Sequence, residues 1–219
     1  MDSGNSTVAA PGADSGSRRR VPRGEIQRQG ILDGFERLLE EIPARDISVK
    51  DIADAAGIKR PNFYFYFESK DDVLGELVGR AWDDWARTIG SYYRRAGESH
   101  VAYFDRVFGL SYAAWLRREH VMVAGIQATG YDDKLRARWT ALVADLNRHL
   151  SAQMGRDATA GLITPVSDDH GALAASLTDM IVMAFFKDRS LKPSEAESAR
   201  MLSAIRAIWL GAWGVEGVA

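Results

Sequence analysis

Apolar residues early in the chain recur with the period of a helix. Ile31, Leu32, Phe35, Leu38, Leu39 and Ile42 lie at offsets of one, four, seven, eight and eleven from the first, which puts them on one helical face. The spacing predicts a helix from about Gly24 to Glu41. Pro43 stops it, because a residue before proline is pushed out of the helical region. Ser48 then offers an N-cap, with Asp51 three positions on as the acid of a capping box. Val49, Ile52, Ala53 and Ala56 form the apolar face of a short second helix, ended by Gly57. Pro61 suits the first turn of a third helix over Arg60–Tyr66. Ser69 caps a longer one whose face is Val73, Leu74, Leu77, Ala81, Trp82 and Trp85.

The rest of the chain reads as helix too. Amphipathic segments are predicted over Tyr103–Leu116, Asp132–Met154, His170–Phe186 and Ser194–Trp213, with Ser167 or Asp168 capping the third of these. Gly97, Gly130, Gly155, Pro165 and Pro193 mark the joins. No run of alternating residues bounded by hairpin turns is present, and no internal repeat. The predicted fold class is all-α. An N-terminal three-helix unit holds a helix-turn-helix, followed by a larger helical domain.

One stretch resists a purely local reading. "KRPNFYFYFESK" places five aromatic residues in a row, Phe63 to Phe67. Taken alone, such a run favours a strand. Its neighbours place it on the second helix of the helix-turn-helix. Phe63 and Phe67, four apart, then share a core-facing side, and Tyr64, Phe65 and Tyr66 point partly elsewhere.

Composition narrows the options. With 46% hydrophobic and 26% charged residues the chain is ordinary globular protein. It has no cysteine, which excludes a disulfide framework, a thiolate metal site and a cysteine nucleophile, and fits a cytoplasmic setting. No apolar run reaches the roughly 20 residues of a membrane helix, so no membrane is expected as a partner. Residues 1–17 are small and polar and read as a disordered tail. The net charge of −2 hides an asymmetry. Arg18–Lys70 holds 11 Lys or Arg against 9 Asp or Glu, and the remainder after it holds 17 against 19. Arg18, Arg19, Arg20 and Arg23 form a basic arm, suited to the minor groove or phosphates or serving as a solubilising tail. His100, His120, His149 and His170 have no metal-ligand spacing, and neither a phosphate-cradling glycine loop nor G-x-S-x-G occurs. No catalytic residue, metal or cofactor is expected.

The segment "ISVKDIADAAGIKRPNFYFYFESKDDVL" resembles the tetracycline-repressor (TetR) family of bacterial transcription regulators. Gly57, the aromatic cluster ending in Phe67 and Lys70 at the start of the next helix carry the likeness, which covers about Gly24–Gly79. The aromatic form is close to that of a mycobacterial subgroup that regulates ethionamide resistance. The resemblance implies a two-domain homodimer. One domain, residues 18–68, binds a near-palindromic double-stranded operator, and the other, residues 69–219, binds a small effector and forms the dimer. Family members usually repress nearby genes until a small molecule binds.

Within that frame Arg60 and Asn62 are candidates for base edges, since arginine pairs with guanine and asparagine with adenine. Pro61 offers apolar contact. Tyr64 and Tyr66 carry hydroxyls for phosphate, and Phe65 can touch thymine methyls or sugars. Ser48, Lys50 and Lys70 sit at helix starts, where phosphates bind. Lys59 stands where a small hydroxyl residue is usual in the family, and its charge offers a further phosphate contact. Arg60 and Asn62 could instead cap the helix and pair with a surface acid.

In the back domain, Phe104, Phe108, Ser111 and Trp115 form one helical stripe. Trp139, Val143, Leu146 and Leu150 form a second, and Thr178, Val182 and Phe186 a third, with Trp209 near the end. Such stripes are ordinary core, or together they line an apolar pocket with Ser111, Thr178 and His149 as polar anchors. Small residues on the last two helices, Ala172, Ala174, Ala175, Ala204, Ala207, Gly211 and Ala212, suit either a homodimer interface or tight monomer packing. Two alternatives stay open: a DNA-binding regulator with no effector, and an enzyme in the helical domain.

Overall fold

A computed structural model of the protein describes residues 22–89 and 92–215. The expected tail and Arg18, Arg19 and Arg20 of the basic arm lie outside them. Among the described residues every regular element is helical. The elements are α1 (Arg23–Leu39), a 3-10 turn (Ala44–Asp46), α2 (Val49–Ala55), α3 (Arg60–Phe63), α4 (Lys70–Ile89), α5 (His100–Arg117), α6 (Glu119–Ala128), α7 (Asp133–Thr159), α8 (His170–Leu191) and α9 (Glu195–Trp213).

Helices α1 to α3 form a head. Ile31, Leu32 and Phe35 of α1, Ile52 and Ala53 of α2 and Phe63 of α3 are fully or almost fully buried there. Helix α4 joins head to body. Its Val73, Leu74 and Leu77 complete the head core, and its Trp82 and Trp85 enter the body. One hydrophobic core runs through both. An ionic clasp ties α1 to α4: Arg28 binds Glu76 through both carboxylate oxygens, and Arg80 bridges Glu76 (2.7 Å) and Gln29 (2.8 Å). Burial pushes the Glu76 carboxyl up, but hydrogen bonds and charge from the two arginines outweigh it and hold the group below the usual range. The Arg28 guanidinium also lies 4.7 Å from the centre of the Phe67 ring.

In the body α7 packs along α8, and α6 crosses α4. That crossing runs through Gly125, where a Cβ would stand 2.8 Å from Val78 Cγ1 and 3.2 Å from Trp82 Cζ2. Several boundaries differ from those predicted. Helix α6 was not anticipated. It is separated from α5 only by Arg118, whose backbone breaks helical geometry (φ −142°, ψ 47°) with no glycine or proline to mark it. Gly155 is no join, because α7 continues to Thr159 and Gly161, at φ 68°, takes the turn. The cap of α8 is Asp169, which accepts from the Ala172 amide, rather than Ser167 or Asp168.

Candidate nucleic-acid interface and inner cavity

The reading unit is assembled from local rules. Ser48 Oγ accepts from the Asp51 amide (3.2 Å), and the Asp51 carboxylate accepts from the Ser48 amide (2.9 Å) and hydroxyl (2.6 Å). The Ser48 hydroxyl, then its amide, hold the Asp51 carboxyl below the usual range. Gly57 takes φ 66°, a conformation costly for a residue with a side chain, and turns the chain from α2 into α3. Lys59 caps α3 in an extended conformation, with Pro61 inside the first turn.

Helix α3 is four residues long, and the next three form a turn, so the helix ends before the predicted Tyr66. Phe63 and Phe67 are both buried, with ring centres 6.0 Å apart. Anchoring these two rings leaves the residues between them at the surface. Phe65 is 83% exposed and Tyr64 is 49% exposed. Lys59, Arg60, Pro61 and Asn62 are exposed beside them, and Arg60 Nη2 donates to the Tyr64 hydroxyl at 3.4 Å. This face offers two cations, one amide and two rings.

Four expected contacts sit differently. Tyr66 is half-buried and its hydroxyl donates to Gln27 Oε1 (2.5 Å). Lys50 is exposed but paired with Asp54 (2.8 Å). The Ser48 hydroxyl is engaged in its cap. Lys70 is the clearest revision. Its ammonium donates to the carbonyls of Ala44 (3.0 Å), Arg45 (3.0 Å) and Ile47 (2.8 Å). An ammonium has three donors, and all three hold the 3-10 turn and the residue that follows it, so none is left for the expected phosphate.

The body contains an aromatic cavity of about 30 Å³, room for roughly one water. Helix α5 contributes Phe104, Val107, Phe108, Ser111 and Trp115, and α8 contributes Thr178, Ile181, Val182 and Phe185. Leu146 and Leu150 come from α7, Trp209 from α9, Trp85 from α4, and Tyr92 from the segment after it. No lining side chain is charged at neutral pH. The Tyr92 and Ser111 hydroxyls share a hydrogen bond of 2.7 Å. Thr178 Oγ1, Trp85 Nε1 and Trp209 Nε1 are buried with no hydrogen-bond partner.

Comparison with known proteins bears on the head first. Residues 31–77 match the family described as bacterial regulatory proteins, tetR family. The chain is 51% identical over 65 residues to the HTH-type transcriptional regulator EthR of Mycobacterium tuberculosis, covering 30% of each chain. It is 34% identical over 156 residues to EthR of Mycolicibacterium smegmatis, covering 68% of this chain and 64% of that one. The head thus carries a TetR-family segment, and the chain as a whole resembles a TetR-family regulator. The matches thus span between 30% and 64% of these curated relatives. The TetR-like fold extends beyond the matched head. The MbdR regulator from Azoarcus sp. CIB superposes with a TM-score of 0.67 at 19% identity, covering 85% of this chain and 98% of that one. PfmR from Thermus thermophilus, a TetR-family regulator, gives 0.66 at 20% identity, covering 85% and 99%.

Among the expected pocket residues, eight line the cavity: Phe104, Phe108, Ser111, Trp115, Leu146, Thr178, Val182 and Trp209. Four do not. Trp139 packs against Trp82 and stacks on Trp85 (centres 5.0 and 5.8 Å), in the seam between α4 and α7. Val143 lies half-buried on α7, off the wall. His149 sits against the exposed ring of Tyr93 (3.7 Å), where burial and then Arg156 lower its pKa. Phe186 is half-buried and faces away, because α8 turns Phe185 to the cavity. Stepping three residues from Val182 instead of four would have found Phe185. Tyr92 lies between helices, where no periodicity points to it. Among the described residues no group of three or more His, Asp or Glu could hold a metal, and no helix is long and apolar enough to cross a membrane.

Proposed function

We propose that this chain is a TetR-family regulator that binds a near-palindromic operator as a homodimer in the cytoplasm, and that a mostly apolar small molecule in the aromatic cavity releases it. The carrying observation is the outward face of α3. Phe65, a large apolar ring at 83% exposure, stands beside Arg60, Asn62 and Tyr64 on an element pinned from behind by Phe63 and Phe67. A ring left in water on a rigid mount is what a groove-reading surface requires. Relatives named as transcriptional regulators support this reading.

Helix α4 gives the two sites a common part. Its first turns pack inside the head and its Trp85 forms cavity wall. A cavity of about 30 Å³ is far below the roughly 300 Å³ or more of ordinary ligand pockets. A bound molecule would therefore part the walls and displace Trp85, and with it the helix that sets the head. For the dimer, α8 and α9 carry the exposed small residues Ala172, Ala204, Ala207 and Gly211, with Met183 at 45% and Ile208 at 49% exposure. Ala174 is fully buried within the protomer and belongs to its own core. The same small cavity favours a second reading, a regulator with no effector.

Selection from a random duplex library tests the DNA function. The expected product is a near-palindrome with half-site centres about 34–36 Å apart, bound with an affinity that falls as salt rises. Arg60→Ala should cost about 1–3 kcal/mol at one operator position. Failure to enrich any sequence would sink the proposal.

A further inference from the structure

Helices α5 and α6 part at one residue, and that residue has no local reason to break a helix. Arg118 is neither glycine nor proline, and its side chain makes no capping bond to α6. A guanidinium has no acceptor with which to cap. It reaches the head instead. Arg118 Nε and Nη2 donate to the two carboxylate oxygens of Glu36 on α1, at 2.7 and 2.6 Å. This fork geometry holds a carboxylate in one orientation. The next residue reaches the other way. Glu119 accepts from Arg189 on α8 (3.2 Å). Arg189 belongs to a buried polar knot. The Asp188 carboxylate accepts there from the hydroxyls of Ser198 on α9 (2.7 Å) and Tyr112 on α5 (2.8 Å), and from Arg189 Nε (2.8 Å). Two successive side chains therefore hold the head and, through that knot, α8 and α9, the helices proposed above to form the dimer.

We infer that Arg118 and Glu36 are positioning residues for operator binding: their ion pair fixes each head on its body, and with it the half-site spacing that the dimer accepts. This rests on the homodimeric operator reading proposed above. Helix α4 is a single rod between head and body, and a single rod leaves rotation about its own axis. The forked pair between α1 and the start of α6 adds a second attachment, which opposes that rotation. Half-site spacing is where such a tie is felt. One extra base pair moves a half-site by about 3.4 Å along the duplex and by about a tenth of a turn around it. A head free to turn absorbs that change, and a head held at two points does not. Neither residue belongs to α3, so base preference is left to the residues there.

A spacing series on the full chain tests this. The operator selected from a random duplex library is compared with copies that have one base pair inserted or removed between the half-sites, and with a copy carrying one half-site mismatch. Wild type should bind the selected spacing about tenfold or more tightly than either altered spacing. Glu36→Gln and Arg118→Gln should each shrink that ratio about fivefold, and the double variant should shrink it no further, because the two act as one unit. The mismatch penalty should stay within about twofold of wild type. The two side chains are 23% and 30% exposed, so either can be hydrated when its partner is lost. Arg118→Lys keeps the charge without the fork; it is the milder variant, and its ratio should fall between. Variants that keep the wild-type ratio, or that weaken every duplex equally, overturn the inference and leave the operator reading standing. So does a mismatch penalty lost together with the spacing ratio, because the head itself would then have changed. A wild type that enriches no operator, or that ignores spacing, overturns the dimeric operator reading and this inference with it.

Discussion

In the reading unit the aromatic rings divide. Phe63 and Phe67 turn inward, Phe65 turns to water, and the hydroxyls of Tyr64 and Tyr66 both meet a side chain of the head. Around the cavity the aromatic residues are buried, and the buried polar groups of Trp85, Thr178 and Trp209 lack partners. The head leaves an apolar group unsatisfied at the surface. The body leaves polar groups unsatisfied inside. Each is a departure from ordinary packing.

The contrast is sharpest between Phe63 and Phe65. Phe63→Ala should destabilise the protein by about 3–5 kcal/mol, read by urea unfolding. Phe65→Ala should change stability by no more than about 0.5 kcal/mol. Its effect should fall on operator affinity, by about 1 kcal/mol. Equal stability losses would erase the division of the row. Lys70 comes next. If it clamps the 3-10 turn, Lys70→Met should cost about 1–3 kcal/mol of stability. It should leave the salt slope of operator binding unchanged, whereas a lost phosphate contact would flatten that slope. In the body the sign reverses. Thr178→Val removes a buried hydroxyl without a partner, so the ligand-free protein should gain up to about 1 kcal/mol.

A further effect concerns charge, which the cavity's lining lacks and the body uses elsewhere. Hydrogen bonding to Arg106 is the main cause that lowers the Glu98 carboxyl from its ordinary 4.5 to about 2. The folded value lies below the unfolded one. The stability from this pair is therefore complete above pH 4.5 and is lost as pH falls toward 2. Glu98→Gln should flatten that part of the acid-unfolding curve.

Head and body also differ in how far they were legible in the sequence. In the head, local chemistry decides. A serine with an acid three residues on, a glycine and then a proline each have one dominant use, and the capping box, the turn and the start of α3 formed as those signals predict, although α3 ends at Phe63 and not at Tyr66. What sequence could not supply were long-range partners. Nothing at Lys70 announces that its ammonium reaches back more than twenty residues to three carbonyls, nor at Tyr66 that Gln27 waits for its hydroxyl. In the body, stripes located the helices but not their rotation. A stripe wide enough to hold Thr178, Val182 and Phe186 also fits Thr178, Ile181 and Phe185, and only packing against α5 and α7 chooses between them. Trp139 and Val143 share a stripe with Leu146 and Leu150, yet α7 is long enough that its first turns face α4 while later ones face the cavity.

The size of the cavity has a kinetic consequence. A space for about one water cannot admit a drug-sized molecule until its walls separate, so association should be gated by that opening and not by diffusion. With rising ligand the observed rate should then level off at the opening rate of the empty protein. The plateau, read by stopped-flow tryptophan fluorescence, would measure how often the body opens unaided, with Trp85 and Trp209 in the wall as its reporters.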